Sequence, residues 1–246
     1  MRTARLKADR RGFEGGEHPA DGSPLAGKRY FSRLFLYAGL QDGEAAILCC
    51  TNNTAEGERD AMAKMGLDVS KFEEEGRMAY LDFYTRILGA PLKDEANIRR
   101  LPSVMDLASF NLALREFTAS FLAKELRIRL VFDSVSTLLI YNPFGMVSRF
   151  LHLVFGRLKM YKATSLFLLE EGSHSQSEVN TIISMVDAVI RVKSGEDLNT
   201  SLMRSSLARN DAVNSLRARL KLARSITLGS LLMLTSSFRG APSMRV

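Results

Sequence analysis

Residues 21–40 read DGSPLAGKRYFSRLFLYAGL and contain the most informative pattern of the chain. Within them, GSPLAGK at residues 22–28 has the spacing G-x-x-x-x-G-K of a phosphate-binding loop. In such a loop, glycines let backbone N–H groups turn towards phosphate oxygens, and the following helix adds the positive end of its dipole. The pattern predicts a nucleotide-binding segment made of Gly22, Ser23, Pro24, Leu25, Ala26, Gly27, Lys28 and Arg29.

The eighth position of this pattern is Arg29, where the motif requires Ser or Thr. That hydroxyl normally binds Mg²⁺, while the lysine, here Lys28, contacts the outer phosphates. The predicted site therefore keeps its anion-binding half and lacks one metal ligand. A solvated Gly/Pro surface loop explains the pattern about equally well until a second element of a nucleotide site is found.

The composition is typical of a globular protein with one large domain, since the chain has 246 residues, 46% of them hydrophobic and 25% charged. No apolar run reaches the ~18 residues that span a bilayer. The first residues, MRTARLKADRRGFEGGEH, lack the apolar region of a secretory signal. Cys49 and Cys50 are adjacent, so in a strand they would point to opposite faces and form no disulfide with each other. We therefore expect a reduced, cytoplasmic protein that does not bind a membrane.

The net charge of +7 is concentrated in residues 201–246, which hold eight Arg or Lys residues and one Asp. Such a basic segment can bind nucleic acid, or it can be a solvated helix face, which is the more common case. The sequence predicts a poorly ordered segment at 1–20, a nucleotide-binding domain at 21–193 and a basic extension of uncertain structure at 194–246. No strand pattern is predicted from residue 201 onward.

Apolar strands alternate with amphipathic helices between residues 30 and 192. Strands are predicted at 45–51, 78–84, 127–134, 165–171 and 188–192, and helices at 30–40, 55–65, after Asp106, at 146–160 and at 177–186. Solidly apolar strands separated by helices are typical of a parallel sheet that is covered on both faces. The fold class is therefore α/β.

Residues 130–133, LVFD, are the second element of a nucleotide site, because an apolar strand ending in Asp is the Walker B pattern. This pattern places a carboxylate at the carboxyl end of a strand, where α/β proteins bind ligands. Asp133 is predicted to hold Mg²⁺, directly or through water. Strands also often end in Asp as a turn residue, so the assignment depends on finding loop, helix, strand and Asp in this order.

Together these segments resemble the RecA-superfamily ATPases of the KaiC-like branch over residues 21–193. The resemblance rests on the phosphate loop, on FLYAGLQDGE at 35–44, on MAKMGLD at 62–68, on GRMAYLD at 76–82 and on the later strands RIRLVFDS and SLFLLEE. It implies a RecA-like fold with a mainly parallel sheet. It also implies ATP or ADP as the ligand, Mg²⁺ as its metal, and homo- or hetero-oligomers with RecA-like subunits.

The chain departs from this family at catalytic positions. Asn52 and Asn53 stand where KaiC-like ATPases have two glutamates that activate the attacking water, and an amide cannot accept a proton. The family's basic K-x-R segment, which reaches a neighbouring subunit's phosphate, is not recognisable after Lys193. The resemblance therefore implies a protein that binds ATP or ADP weakly, hydrolyses little or none, and acts as a regulatory or assembly module.

Two alternatives remain open from the sequence. One is an active ATPase with a non-standard catalytic carboxylate, for which Glu170 and Glu171 are the candidates. The other is a nucleic-acid-associated structural partner of a true ATPase, which would use the basic residues near the carboxyl terminus.

Overall fold

The computed structural model describes residues 26–89, 91–193 and 231–237. Its helices are α1 (Ala26–Gln41), α2 (Ala55–Lys64), α3 (Ser70–Glu74), α4 (Leu107–Ala123), α5 (Val135–Tyr141), α6 (Phe144–Met160) and α7 (Gln176–Ile183). Its strands are β1 (Ala45–Cys50), β2 (Met78–Asp82), β3 (Ile98–Arg100), β4 (Ile128–Asp133), β5 (Thr164–Glu170), β6 (Ala188–Lys193) and β7 (Leu231–Ser237).

The seven strands form one sheet in the order β3-β2-β1-β4-β5-β7-β6, and every pair of neighbours is parallel. The chain first builds outward from β1 to β3 and then returns to place β4 on the other side of β1. Open parallel sheets bind ligands outside the carboxyl ends of their strands at such a reversal. The topology therefore directs attention to the ends of β1 and β4.

The two faces of the sheet carry separate apolar cores. In β1, alternate residues contribute to the two cores, with Ala45, Ile47 and Cys49 in one and Ala46, Leu48 and Cys50 in the other. Helices α4 to α7 complete the first core, and α1 and α2 complete the second. The predicted α/β fold with helices on both faces is confirmed, as is the prediction that Cys49 and Cys50 point to opposite faces.

Four elements were not predicted from the sequence: α3, α5, β3 and β7. Strand β3 is only three residues long, which is too short to show a period in the sequence. Helix α5 follows β4 after one residue, Ser134. Its apolar residues therefore continue the apolar run of the strand, and the sequence shows no boundary between the two elements.

Strand β7 lies in the region where no strand was predicted, and it pairs with β5 on one side and β6 on the other. Its apolar run LLML was the available signal, and the surrounding Ser and Arg residues obscured it. Within the described ranges, no helix has both the length and the apolar character needed to cross a bilayer.

The structure explains why residue 39 of the FLYAGLQDGE segment is glycine. A Cβ at this position would lie 2.6 Å from Nε of Arg129 and 2.8 Å from Oε2 of Glu44. These two side chains form a buried ion pair under α1, and the Arg129 guanidinium also lies 4.8 Å from the centroid of the Phe35 ring. A side chain at residue 39 would therefore displace one partner of a buried pair.

We expect Gly39→Ala to lower the free energy of unfolding by about 1–3 kcal/mol, because an inserted Cβ forces the buried Arg129–Glu44 pair to shift. The matched control is Gly156→Ala in α6, where an added Cβ meets no atom within 4 Å. That control should be neutral or stabilising by about 0.5–1 kcal/mol, since alanine favours a helix over glycine. Urea denaturation measures both, and equal effects of the two substitutions would contradict this account.

Candidate nucleotide site

The lysine of the predicted phosphate loop lies at the carboxyl edge of the sheet. Lys28 is in the first turn of α1 and is 0% exposed. Its Nζ donates to Oε1 of Glu170 at 2.5 Å and to the carbonyl of Leu169 at 3.1 Å, both at the end of β5. A buried ammonium requires such partners. The helix begins at Ala26, and the predicted loop residues Gly22, Ser23, Pro24 and Leu25 lie outside the described residues.

Arg29 is bonded to the carboxylate that was predicted to hold the metal. Its Nε donates to Oδ2 of Asp133 at 2.7 Å. Burial raises the pKa of Asp133, while the nearby Arg29 guanidinium lowers it and the Glu58 carboxylate raises it further. The other oxygen, Oδ1, is buried and has no hydrogen-bond partner among the described residues. The site therefore contains one engaged and one unpartnered carboxylate oxygen.

These residues fit Mg²⁺ poorly. Mg²⁺ requires near-octahedral oxygen ligands and is usually held by one or two carboxylates together with phosphates and waters. The described part of the chain contains no group of three or more His, Cys, Asp or Glu residues that could hold a metal ion. The guanidinium of Arg29 also shares Asp133 and stands where the motif would supply a hydroxyl.

The two asparagines after β1 have different surroundings. Asn52 is exposed, and its Oδ1 accepts a hydrogen bond from Oγ1 of Thr137 at 2.9 Å. Asn53 donates from Nδ2 to Oε1 of Glu58 at 2.9 Å and accepts from the backbone N–H of Thr54 at 3.0 Å. Asn53 therefore helps to start α2, while Asn52 is the one that lies open at the sheet edge.

Sequence reasoning missed a second ion pair behind the first. Arg33 lies one turn after Arg29 in α1 and donates from Nε and Nη2 to the carboxylate of Glu58 at 2.9 and 3.1 Å. The available signal was the spacing of the two arginines, because residues four apart share a helix face. Both arginines of this face are thus engaged by acids, Asp133 from β4 and Glu58 from α2.

Hydroxyl groups hold the three strand ends in register. Oγ1 of Thr51 donates to the carbonyl of Asp133 at 2.8 Å and accepts from the N–H of Ser134 at 2.8 Å. Oγ of Ser136 accepts from the N–H of Glu170 at 2.8 Å. These bonds fix the ends of β1, β4 and β5 relative to one another, so the carboxyl groups of Asp133 and Glu170 start from defined backbone positions.

His174 follows β5 and lies near the same edge. Burial lowers the pKa of its imidazole, and the carboxylates of Glu178 and Glu170 act in the opposite direction. Its Nε2 is buried without a hydrogen-bond partner among the described residues. His174 therefore lies close enough to Glu170 for the two groups to interact electrostatically.

Comparison with known proteins gives a consistent result. A family model described as "ATPase: KaiC" matches residues 18–217. A UPF0273 protein of Pyrococcus furiosus is 38% identical over 122 residues, which are 50% of this chain and 47% of that protein. One from Thermotoga maritima is 34% identical over 124 residues, 50% of this chain and 48% of its own length. The chain thus spans about half the length of the curated relatives it matches.

Similarity to solved structures also supports the fold. An uncharacterised protein of Pyrococcus horikoshii, crystallised in complex with an unknown peptide, superimposes with a TM-score of 0.52 at 15% identity. The alignment covers 65% of this chain and 69% of that one. At this identity the similarity shows the fold alone.

Proposed function

Because this chain belongs to the KaiC ATPase family, we propose that it binds ATP or ADP at the carboxyl edge of its sheet, weakly and with little or no hydrolysis. It would then act as a regulatory or assembly module among RecA-like subunits. The observation that carries the proposal is the ion pair between Arg29 and Asp133. The protein's own cation sits on the carboxylate that a metal-dependent ATPase would use for Mg²⁺.

The pair supports nucleotide binding that does not depend on a metal. A guanidinium is permanently charged and can bond a carboxylate and a phosphate oxygen from the same planar group. The Arg29 side chain is 26% exposed, and its hydrogen bond to Asp133 uses Nε. It is therefore placed to offset the charge of a phosphate next to Asp133, a role that Mg²⁺ has in related sites.

The surroundings of the site also disfavour hydrolysis. Turnover requires a group that accepts a proton from water, or orients that water, beside the outer phosphate. Asn52 offers an amide whose oxygen is already bonded to Thr137, and Asn53 is bonded to Glu58. The Glu58 carboxylate is buried and engaged by Arg33. None of these three side chains presents an available base.

We expect Mg²⁺ to change the ATP affinity of the unmodified protein only slightly, because Arg29 already balances Asp133. Arg29→Thr supplies a hydroxyl and releases the carboxylate, so ATP affinity in this variant should rise at least about tenfold on adding Mg²⁺. Isothermal titration with and without Mg²⁺ measures both. Arg86→Thr, at an exposed ion pair with Asp94, is the control and should behave as the unmodified protein. A strong Mg²⁺ requirement of the unmodified protein would refute the proposal.

A second candidate function is active hydrolysis with Glu170 as the base. The contact that favours it is the bond between Glu170 and Lys28, which places a carboxylate beside the proposed phosphate position. Glu170 would have to leave Lys28 before it could accept a proton from water. Measured turnover therefore separates the two candidates.

A further inference from the structure

The proposed phosphate-binding lysine is held by a carboxylate of the same chain. We propose that Glu170 is an internal competitor of the nucleotide phosphate and thereby sets the affinity of the site. This inference rests on the proposed nucleotide binding and adds a residue that determines its strength. The juxtaposition that carries it is the 2.5 Å contact between Nζ of Lys28 and Oε1 of Glu170, across 142 residues of sequence.

A phosphate and Glu170 cannot both use Lys28 without cost. The ammonium is wholly buried, and the carboxylate and the Leu169 carbonyl already accept hydrogen bonds from it. A phosphate oxygen brought to Nζ with Glu170 in place would put two anions within a few ångströms of each other, where like charges repel strongly. Nucleotide binding at this lysine therefore requires the carboxylate of Glu170 to move away.

The structure provides a direction for that movement. The backbone of Glu170 is fixed by its N–H bond to Ser136 and by the register of β5 with β7. Its side chain, however, is 15% exposed, whereas that of Lys28 is 0% exposed. The carboxylate can therefore turn into water while the ammonium stays at the sheet edge. Lys28 exchanges one anion for another, and the helix need not shift.

Two successive residues of α1 are thus bonded to the ends of two neighbouring strands, Lys28 to β5 and Arg29 to β4. Each pair joins one cation to one anion, so neither adds net positive charge to attract a polyanion. A nucleotide that displaces Glu170 breaks the first connection and leaves the second. Removing the Glu170 charge should therefore raise affinity even if Arg29 and Asp133 remain paired.

The test compares ATP and ADP affinities of the unmodified protein, Glu170→Gln and Glu178→Gln by titration without Mg²⁺. Glu170→Gln should bind at least about tenfold more tightly, because Lys28 loses its competing anion and not its charge. Glu178→Gln is the control, since Glu178 caps α7 through Ser175 and a glutamine also suits that position. The double variant Lys28→Met, Glu170→Gln should show no such gain, which tests that the effect acts through Lys28.

The possible failures are distinguishable. If the unmodified protein and Glu170→Gln bind equally, the competition is wrong while nucleotide binding stands. If neither protein binds ATP or ADP, the proposed nucleotide binding is wrong, and the proposed competition by Glu170 is wrong as well. If both glutamate variants gain alike, the effect is one of general charge, and the specific role of Glu170 is refuted.

Thermal unfolding gives a second readout that does not rely on affinity alone. Without nucleotide, Glu170→Gln should melt below the unmodified protein, because a buried ammonium has lost the charge of the Glu170 carboxylate. Saturating ATP should then raise the Tm of Glu170→Gln by more than it raises that of the unmodified protein, since the phosphate replaces the missing anion. Equal melting temperatures and equal shifts would overturn the proposal.

Discussion

Replacing Lys28 with methionine should remove detectable ATP and ADP binding while the protein stays folded. The ammonium is the charged group that the phosphate-loop motif supplies, and a hydrogen bond to a charged group contributes about 1.5–3 kcal/mol. Its loss weakens binding roughly 10- to 100-fold, which carries a weak affinity beyond detection. Methionine keeps an apolar stem of similar length in the buried space, so packing against β5 is largely retained.

Equilibrium dialysis with labelled nucleotide measures this effect. Lys64→Met is the matched control, because Lys64 is an exposed lysine in α2, and it should bind as the unmodified protein does. Circular dichroism should show that both variants keep their helical content. Equal nucleotide binding by Lys28→Met and the unmodified protein would exclude residues 22–29 as a phosphate-binding segment.

Phosphate release by the purified protein should be indistinguishable from background, and this is the second large expected effect. A placed general base typically contributes about 10²–10⁴-fold, and Asn52 and Asn53 are predicted to stand at the two family positions for it. A cationic group supplied to the transition state contributes about 10³–10⁵-fold in other phosphate-loop enzymes. The family's K-x-R segment, which would supply such a cation, is not recognisable after Lys193. Lacking the base and lacking the cation both lower the rate of hydrolysis, even if the two effects do not add.

Designed variants can test which loss matters. Asn52→Glu combined with Arg29→Thr should give measurable turnover with Mg²⁺, because it restores a carboxylate at the open position and a hydroxyl next to Asp133. Either substitution alone should give a lower rate of turnover than the combination. Asn53→Glu should not help, since it places a second carboxylate against Glu58. If the unmodified protein hydrolyses ATP and Lys28→Met does not, the active-ATPase candidate is favoured, and loss of turnover in Glu170→Gln would identify the base.

Much of the fold could be predicted because it depends on local patterns. The strands β1, β4 and β5 are continuous apolar runs, and their alternation with amphipathic helices implies parallel pairing. Asp133 could be placed at the carboxyl edge for the same reason, since carboxyl ends of parallel strands meet there. Residue type and spacing were sufficient to position this carboxylate, while the phosphate-binding role of Lys28 and the metal-binding role of Asp133 stay predictions.

The partners of these residues could not be predicted, because they depend on strand order. Lys28 meets Glu170 only because β5 lies next to β4, and Arg29 reaches Asp133 only because α1 crosses the same strand ends. Both contacts join residues more than a hundred positions apart in the chain. A motif defines which chemical groups are present, and the topology determines which of them are already paired with each other.

The spacing of a motif also does not reveal which of its residues could contact a ligand and which hold the backbone in place. Asp82 ends the family pattern GRMAYLD, yet its carboxylate accepts hydrogen bonds from the backbone N–H groups of Ala55, Tyr84 and Thr85. It therefore anchors the start of α2 to the end of β2. Asn53 was predicted at a catalytic position, and its bonds to Thr54 and Glu58 give it a similar supporting part.

The place of β7 between β5 and β6 has a consequence for the order in which the protein can assemble. Within the described ranges, strand β6 precedes β7 in the chain and pairs with β7 alone, and β7 in turn covers the flank of β5. During synthesis, β6 therefore emerges before its hydrogen-bonding neighbour exists. The flank of β5 lacks the partner β7 until the chain has extended through residue 237, and unpaired edges recruit other strands. Among the described strands β7 is the last to be synthesised, so the end of β5 that carries Glu170 gains this neighbour only after the other six have emerged.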